Sequence, residues 1–191
     1  IFLCAPVQKN AEFLEKLSEF AGEQCIITDV GSVKSAIHEE IAHTPLAPYF
    51  IGGHPMAGSE KSGYAHATPY LLENAYYIIT PSGETSPEAV GRFQQLVQSL
   101  GAIPILLDYK EHDFVTGAVS HLPHILASSL VNLVEGLDGE DGMMKKIAAG
   151  GFKDITRIAS SSPVMWQQIC LANRELVLRL LDAFLEELGR I

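Results

Sequence analysis

Apolar positions divide the chain into two halves. Up to about residue 107, short apolar runs alternate with amphipathic stretches, and residues 1–5, 25–28, 49–51, 76–80 and 102–107 read as strands. Between the first two, Phe13, Leu14, Leu17 and Phe20 recur at helical spacing over residues 10–20, and residues 33–42 form a weaker helix. Ser86 followed by Pro87 signals a helix start; Val90, Phe93, Val97 and Leu100 make one face before Gly101 stops it. Such alternation predicts an α/β sheet with helices on its faces. The run at 1–5 has no turn before it, so the chain is expected to start inside a domain.

After Asp108 only the helical period remains. Residues 111–135 predict one long apolar helix kinked at Pro123, followed by a Gly/Asp-rich turn over 136–142 and a short helix. Residues 152–160 add a turn or two of helix. Pro163 opens a last long helix with Trp166, Ile169, Cys170, Leu176, Leu180, Phe184 and Leu188 on its inner stripe. Two helices this apolar exceed what one sheet edge covers, which predicts a homodimer built by the helical half.

Composition narrows the function classes. The 191 residues are 47% hydrophobic and 19% charged, the balance of a globular protein. A formal charge of −10 argues against nucleic acid or an anionic membrane as partner. No apolar run approaches the roughly 20 residues of a membrane helix, and no export signal is visible, so a cytoplasmic protein is expected. Cys4, Cys25 and Cys170 form no CxxC pair and sit in apolar runs, which predicts buried, reduced thiols.

Four segments carry chemistry. Gly52-Gly53-His54-Pro55-Met56-Ala57-Gly58-Ser59-Glu60-Lys61 follows a short strand, so His54 stands where α/β sheets place ligands. Its glycines permit close backbone approach to a ligand; a tight turn with a surface histidine is the plainer alternative. Thr28-Asp29-Val30-Gly31-Ser32-Val33-Lys34 runs from strand to helix, and Ser32 either caps that helix or faces a ligand at its N-terminus. Asp113, Gly117, His121, His124 and Ser128 draw a polar line along an apolar helix, the pattern of a wet cleft wall. A zinc reading of the histidine pair lacks a third ligand, so no metal is expected. Lys153 and Arg157, four apart in Gly150-Gly151-Phe152-Lys153-Asp154-Ile155-Thr156-Arg157, share a face that either meets an anion or is simply solvated.

Taken in order, Asp-Val-Gly-Ser-Val-Lys, Gly-Gly-His-Pro-Met-Ala-Gly, Ser120-His121-Leu122-Pro123-His124 and Gly-Gly-Phe-Lys-Asp-Ile-Thr-Arg-Ile-Ala resemble the prephenate dehydrogenase family over essentially the whole chain. The resemblance implies the C-terminal part of a Rossmann-like nucleotide-binding domain over residues 1–108, then an all-helical substrate and dimerisation domain over 109–191. It implies oxidative decarboxylation of prephenate in tyrosine biosynthesis, with NAD or NADP as hydride acceptor. No GxGxxG occurs in the sequence, and the family's glycine-rich fingerprint is expected upstream of Ile1.

By the same resemblance His54 is the catalytic base and Ser32 holds it or the nicotinamide. Arg157 grips a substrate carboxylate and Lys153 raises the local potential. His121, His124 and Trp166 line the substrate cleft, with Ser59 and Glu60 on its rim. Ala5, Pro6 and Val7, with Asp29 and Gly31, lie along the cofactor. An ordinary imidazole would make activity decline below about pH 6.5. Arogenate dehydrogenase is the nearest alternative activity; a non-catalytic nucleotide-sensing dimer is a remoter one.

Overall fold

The structure is a computed structural model that describes residues 1–5, 10, 13, 14, 16, 17, 19–22, 24–58 and 63–191. Its first half is the expected sheet with helices. β1 (Phe2–Leu3) pairs parallel with β2 (Thr28–Asp29), and a parallel bridge from Ile27 to Phe50 leads on to β3 (Ile51–Pro55). β3 pairs antiparallel with β4 (Tyr76–Pro81), which pairs parallel with β5 (Ile103–Leu106). Asn10, Phe13, Leu14, Lys16 and Leu17 are helical, and α1 (Ser35–Ile41) lies within its expected range.

Buried apolar residues gather in two clusters. Leu3, Leu14, Ile27, Ile37, Ile41, Leu46 and Phe50 form one, with α1 packed against the sheet. Ile51, Tyr77, Ile79, Phe93 and Val97 belong to the other, beneath α2 (Pro87–Ser99). The Ser86 hydroxyl accepts from the Ala89 amide at the start of α2, the cap that its sequence announces.

β3 differs from expectation by sliding toward its C-terminus. Residues 47–49 form a 3₁₀ turn, and the strand runs through both glycines to Pro55. Glycine is a poor strand former, so propensity hid the strand's extent.

The second half is helical. α3 runs unbroken over Tyr109–Leu137, 29 residues, long and apolar enough to cross a membrane by length and composition. The flat sequence reading of apolar runs did not anticipate this. Yet α3 buries His112, Asp113 and His121 against the rest of the chain, and it belongs to the packed fold. It begins two residues early because the Asp108 carboxylate caps it, accepting from the Lys110 and Glu111 amides. Just before Pro123 the rod widens to one π turn over Gly117–His121. Proline has no N–H to offer the carbonyl four residues back, and a wider turn relieves the ring clash there.

α4 (Met143–Ile147), α5 (Gly150–Thr156) and a 3₁₀ turn over Arg157–Ser160 follow. The last helix is broken: α6 (Pro163–Ala172) and α7 (Arg174–Leu188) meet at Asn173. The cysteines are free, but Cys4 is exposed and Cys25 and Cys170 only partly buried, less sheltered than expected.

Candidate active site

β3 delivers His54 to the seam between sheet and helices. A Cβ on Gly52 would lie 2.3 Å from Thr80 Oγ1 and 2.8 Å from His38 Nε2; one on Gly53 would lie 2.6 Å from the Asp29 carbonyl oxygen. The paired glycines therefore admit the protein's own neighbours, where the sequence suggested close approach of a ligand.

A chain of polar contacts runs inward from His54. Its Nδ1 lies 2.8 Å from Nε2 of His112, whose Nδ1 lies 2.8 Å from Oδ1 of Asp113. The Asp113 carboxylate also accepts the Lys34 and Ser35 amides, each at 2.8 Å. Thus the open N-terminus of α1, an anion site by its geometry, holds an internal anion delivered by α3. Ser32 is not its cap. Burial pushes the Asp113 carboxyl up, but hydrogen bonds from His112, Ser35 and Lys34 outweigh it and hold the group below the usual carboxylate range.

Asp29 is likewise turned inward. Its carboxylate pairs with the Lys34 ammonium and accepts the Gly31 and Gly53 amides at 2.9 and 3.2 Å. Those donors occupy the oxygens expected to lie along a cofactor, so the side chain ties the β2 loop to β3 instead. Burial draws the Lys34 ammonium down from its ordinary range, with Asp29 opposing.

Three cavities that share lining residues flank the strand end at His54. The first, about 440 Å³, is lined by Cys4, Ala5, Gly31, Ser32 and residues of α6. It opens beyond the carboxyl ends of β1 and β2, where α/β sheets bind nucleotides. The second, about 280 Å³, is lined by Ser32, His54, Gly58, His121 and Trp166, among others. The third, about 320 Å³, takes in Gly58, Trp166 and Arg157. Ser32, Met165 and Ile169 are shared by the first two, and Gly58, Met165 and Trp166 by the last two.

The basicity of His54 is strongly depressed. Burial first, then neighbouring His112, Lys34 and His121, push its pKa down to about 3. It is therefore neutral well below the pH 6.5 expected of an ordinary imidazole. His121 is also pushed down, to about 4, chiefly by burial; its Nδ1 sits 3.1 Å from Asn173 Nδ2, which also donates to the Asp113 carbonyl.

His124 stacks on Trp166 with ring centroids 3.6 Å apart and planes 5° from parallel, while Ser128 lies 3.5 Å from its Nε2. Burial lowers the His124 pKa.

Most expected site residues thus meet, but not all. Lys153 is exposed and lines none of the three cavities, because the helix tightens to 3₁₀ geometry at Arg157 and the four-residue spacing no longer fixes a common face. Pro6, Val7, Ser59 and Glu60 lie outside the described residues. The sequence reading passed over His112, Lys34 and Asn173. His112 adjoins Asp113 but lies about 100° round the helix from the polar line, so periodicity discards it. Among the described residues, no group of three or more His, Cys, Asp or Glu side chains has the geometry to hold a metal.

Residues 1–106 match the family model "Prephenate dehydrogenase, nucleotide-binding domain", and residues 108–191 match "Prephenate dehydrogenase, dimerization domain". Prephenate dehydrogenase of Bacillus subtilis (strain 168) is 42% identical over 193 residues, covering 100% of this chain and 52% of its own length. The chain spans about half the length of the curated relatives it matches. Among solved structures, Aquifex aeolicus prephenate dehydrogenase in complex with hydroxyphenyl propionate and NAD+ superposes with a TM-score of 0.91 at 35% identity, covering 99% of this chain and 66% of that one. Synechocystis arogenate dehydrogenase gives a TM-score of 0.88 at 32% identity, covering 100% and 68%. A sheet half and a helical half that each match their own domain model make this chain a member of the prephenate dehydrogenase family.

Proposed function

We propose that the chain carries the active site of an NAD-dependent prephenate dehydrogenase, which converts prephenate to 4-hydroxyphenylpyruvate and CO2. The carrying observation is that the cavity lined by His54 shares walls with one at the strand ends and with one lined by Arg157. Ala5, Gly31 and Ser32 would hold the nicotinamide end of the cofactor, and the size and place of that cavity fit it. Bound there, NAD supplies the acceptor for the hydride that leaves the substrate's carbinol carbon; NADP is the alternative.

The chain's own residues do the rest. His54, neutral at physiological pH, takes the proton of the substrate hydroxyl and returns it to the phenolate oxygen once CO2 has left and the ring is aromatic. Ser32, shared by two cavities, steadies the groups that meet there. Arg157 pairs with a substrate carboxylate. Trp166 and His121 form an aromatic wall for the ring, while His124, expected on that wall, lines none of the three cavities and stacks on Trp166. Lys153 adds positive potential from outside the cleft.

The test is a steady-state assay with prephenate and arogenate against NAD and NADP. His54→Asn is expected to lower kcat by roughly 10²–10⁴ while substrate still binds, and Arg157→Gln chiefly to raise KM. A His54→Asn enzyme with unaltered kcat would sink the assignment. Arogenate is the second reading, favoured by the likeness to the Synechocystis enzyme; the larger kcat/KM decides.

The partner we propose is a second copy. Leu133, Leu137, Ile147, Ile155, Leu171 and Leu185 of the helical half are each more than half exposed, apolar side chains that a second copy would cover. Sedimentation at micromolar concentration should return twice the chain mass. A single species of one chain mass would exclude the homodimer.

A further inference from the structure

The reading of His54 as a base leaves open which of its ring nitrogens carries the proton. Only a neutral nitrogen with a free lone pair can take a proton from substrate, and only one of the two faces away from His112. With His112 neutral, the polar contacts behind His54 fix the answer, beginning at their far end.

Asp113 accepts two backbone amides, so its oxygens act as hydrogen-bond acceptors. Both Asp113 and His112 are fully shielded from solvent. The 2.8 Å contact from His112 Nδ1 to Asp113 Oδ1 therefore has the imidazole N–H as donor and the carboxylate as acceptor. In a neutral His112 the other nitrogen, Nε2, is then an acceptor. The 2.8 Å contact between it and His54 Nδ1 requires His54 to donate. His54 is left with its proton on Nδ1 and a lone pair on Nε2.

We propose that His112, backed by Asp113, is a positioning residue for the reaction: the Asp113–His112–His54 chain fixes His54 in the Nδ1-protonated form and so keeps Nε2 as the acceptor for the substrate hydroxyl. This rests on His54 being the base. The arrangement also accounts for the amide contacts on Asp113. With its oxygens committed to Lys34 N and Ser35 N, the carboxylate cannot rotate to release His112. A cationic His112 would reverse the outcome, since both its nitrogens would donate and His54 would show an N–H where a base needs a lone pair.

Protonation of each imidazole nitrogen is read directly by long-range ¹H–¹⁵N correlation on the histidine-labelled protein, with His54→Asn and His112→Gln giving the assignments. The expected spectrum has a protonated, pyrrole-type Nδ1 and a pyridine-type Nε2 at His54. In His112→Phe that preference should be lost, with kcat down roughly 10–10² and KM held. In His112→Gln both should largely return, because the amide oxygen lies as many bonds from the backbone as Nε2 and also accepts a hydrogen bond. A wild-type spectrum with the proton on His54 Nε2 overturns the inference, as does a His112→Phe enzyme with unchanged tautomer and kcat. The wild-type spectrum is recorded without substrate, so it tests the tautomer even if His54→Asn shows that His54 is not the base.

Discussion

At the scale of single residues, the site is held by atoms whose job is to leave room. Gly53 precedes His54 on β3, and a methyl group there would press on the Asp29 carbonyl at 2.6 Å, Tyr77 Oη at 2.8 Å and Thr28 Oγ1 at 3.0 Å. Two of these belong to β2, so the strain cannot be relieved by one side chain swinging aside. Gly53→Ala is expected to cost about 1–3 kcal/mol, typical of overpacking, and to lower kcat because the shift moves His54 itself. Gly91, inside α2 with nothing within 4 Å of its virtual Cβ, is the contrast: alanine there should stabilise by about 1 kcal/mol. Urea denaturation of the two variants checks both signs; a Gly53→Ala protein as stable as the parent would mean that β3 yields more easily than its contacts imply.

Elements show where sequence patterns carry information and where they stop. Period-2 and period-3.6 stretches, with Ser86–Pro87 as a cap, were legible because each reports a local preference. The extent of β3 was not, since its glycines answer to His38, Thr80 and Asp29, residues brought near only by the fold. Nor was the break at Asn173 legible. Its side-chain amide donates to the Asp113 carbonyl and approaches His121 Nδ1, so a residue that reads as an indifferent position on an apolar helix ties α6 and α7 to α3. The π turn at Gly117–His121 has a similar origin. Pro123 announces a disturbance, but whether a helix kinks or widens depends on what packs beside it, and Leu180 of α7 lies where a Cβ on Gly117 would come within 3.0 Å. Of the residues lining the cavities, His54, Ser32, Arg157, His121 and Trp166 were legible through motifs. His112 was not, because its importance comes from contact across 58 positions of sequence.

The molecule as a whole carries an unusual load of neutral buried histidine. His38, wedged between Thr80 and the Tyr109 ring, is pushed down to about 4, first by burial and next by Lys34. His121 is likewise near 4, and His54 near 3. In the unfolded chain each titrates near 6.5. Between about pH 6.5 and 4 the unfolded state therefore binds protons that the folded state refuses, and stability falls as pH falls. Above 6.5 neither state is protonated and the loss vanishes. Asp113 acts in the same direction, its depressed carboxyl adding stability that is lost as pH falls through the usual carboxylate range and below, so its contribution comes beneath this window. Three groups, each worth up to about 1.4 kcal/mol per pH unit, would remove several kcal/mol between pH 6.5 and 5, enough to consume much of a typical domain's margin. The urea midpoint should hold from pH 8 to 7 and then fall steeply toward 5. Activity measured in the seconds before unfolding should not follow it, because His54 stays neutral throughout that range. A midpoint that is level from pH 7.5 to 5 would mean these imidazoles are protonated in the folded protein, and with them the neutral base on which the proposed chemistry depends would be lost.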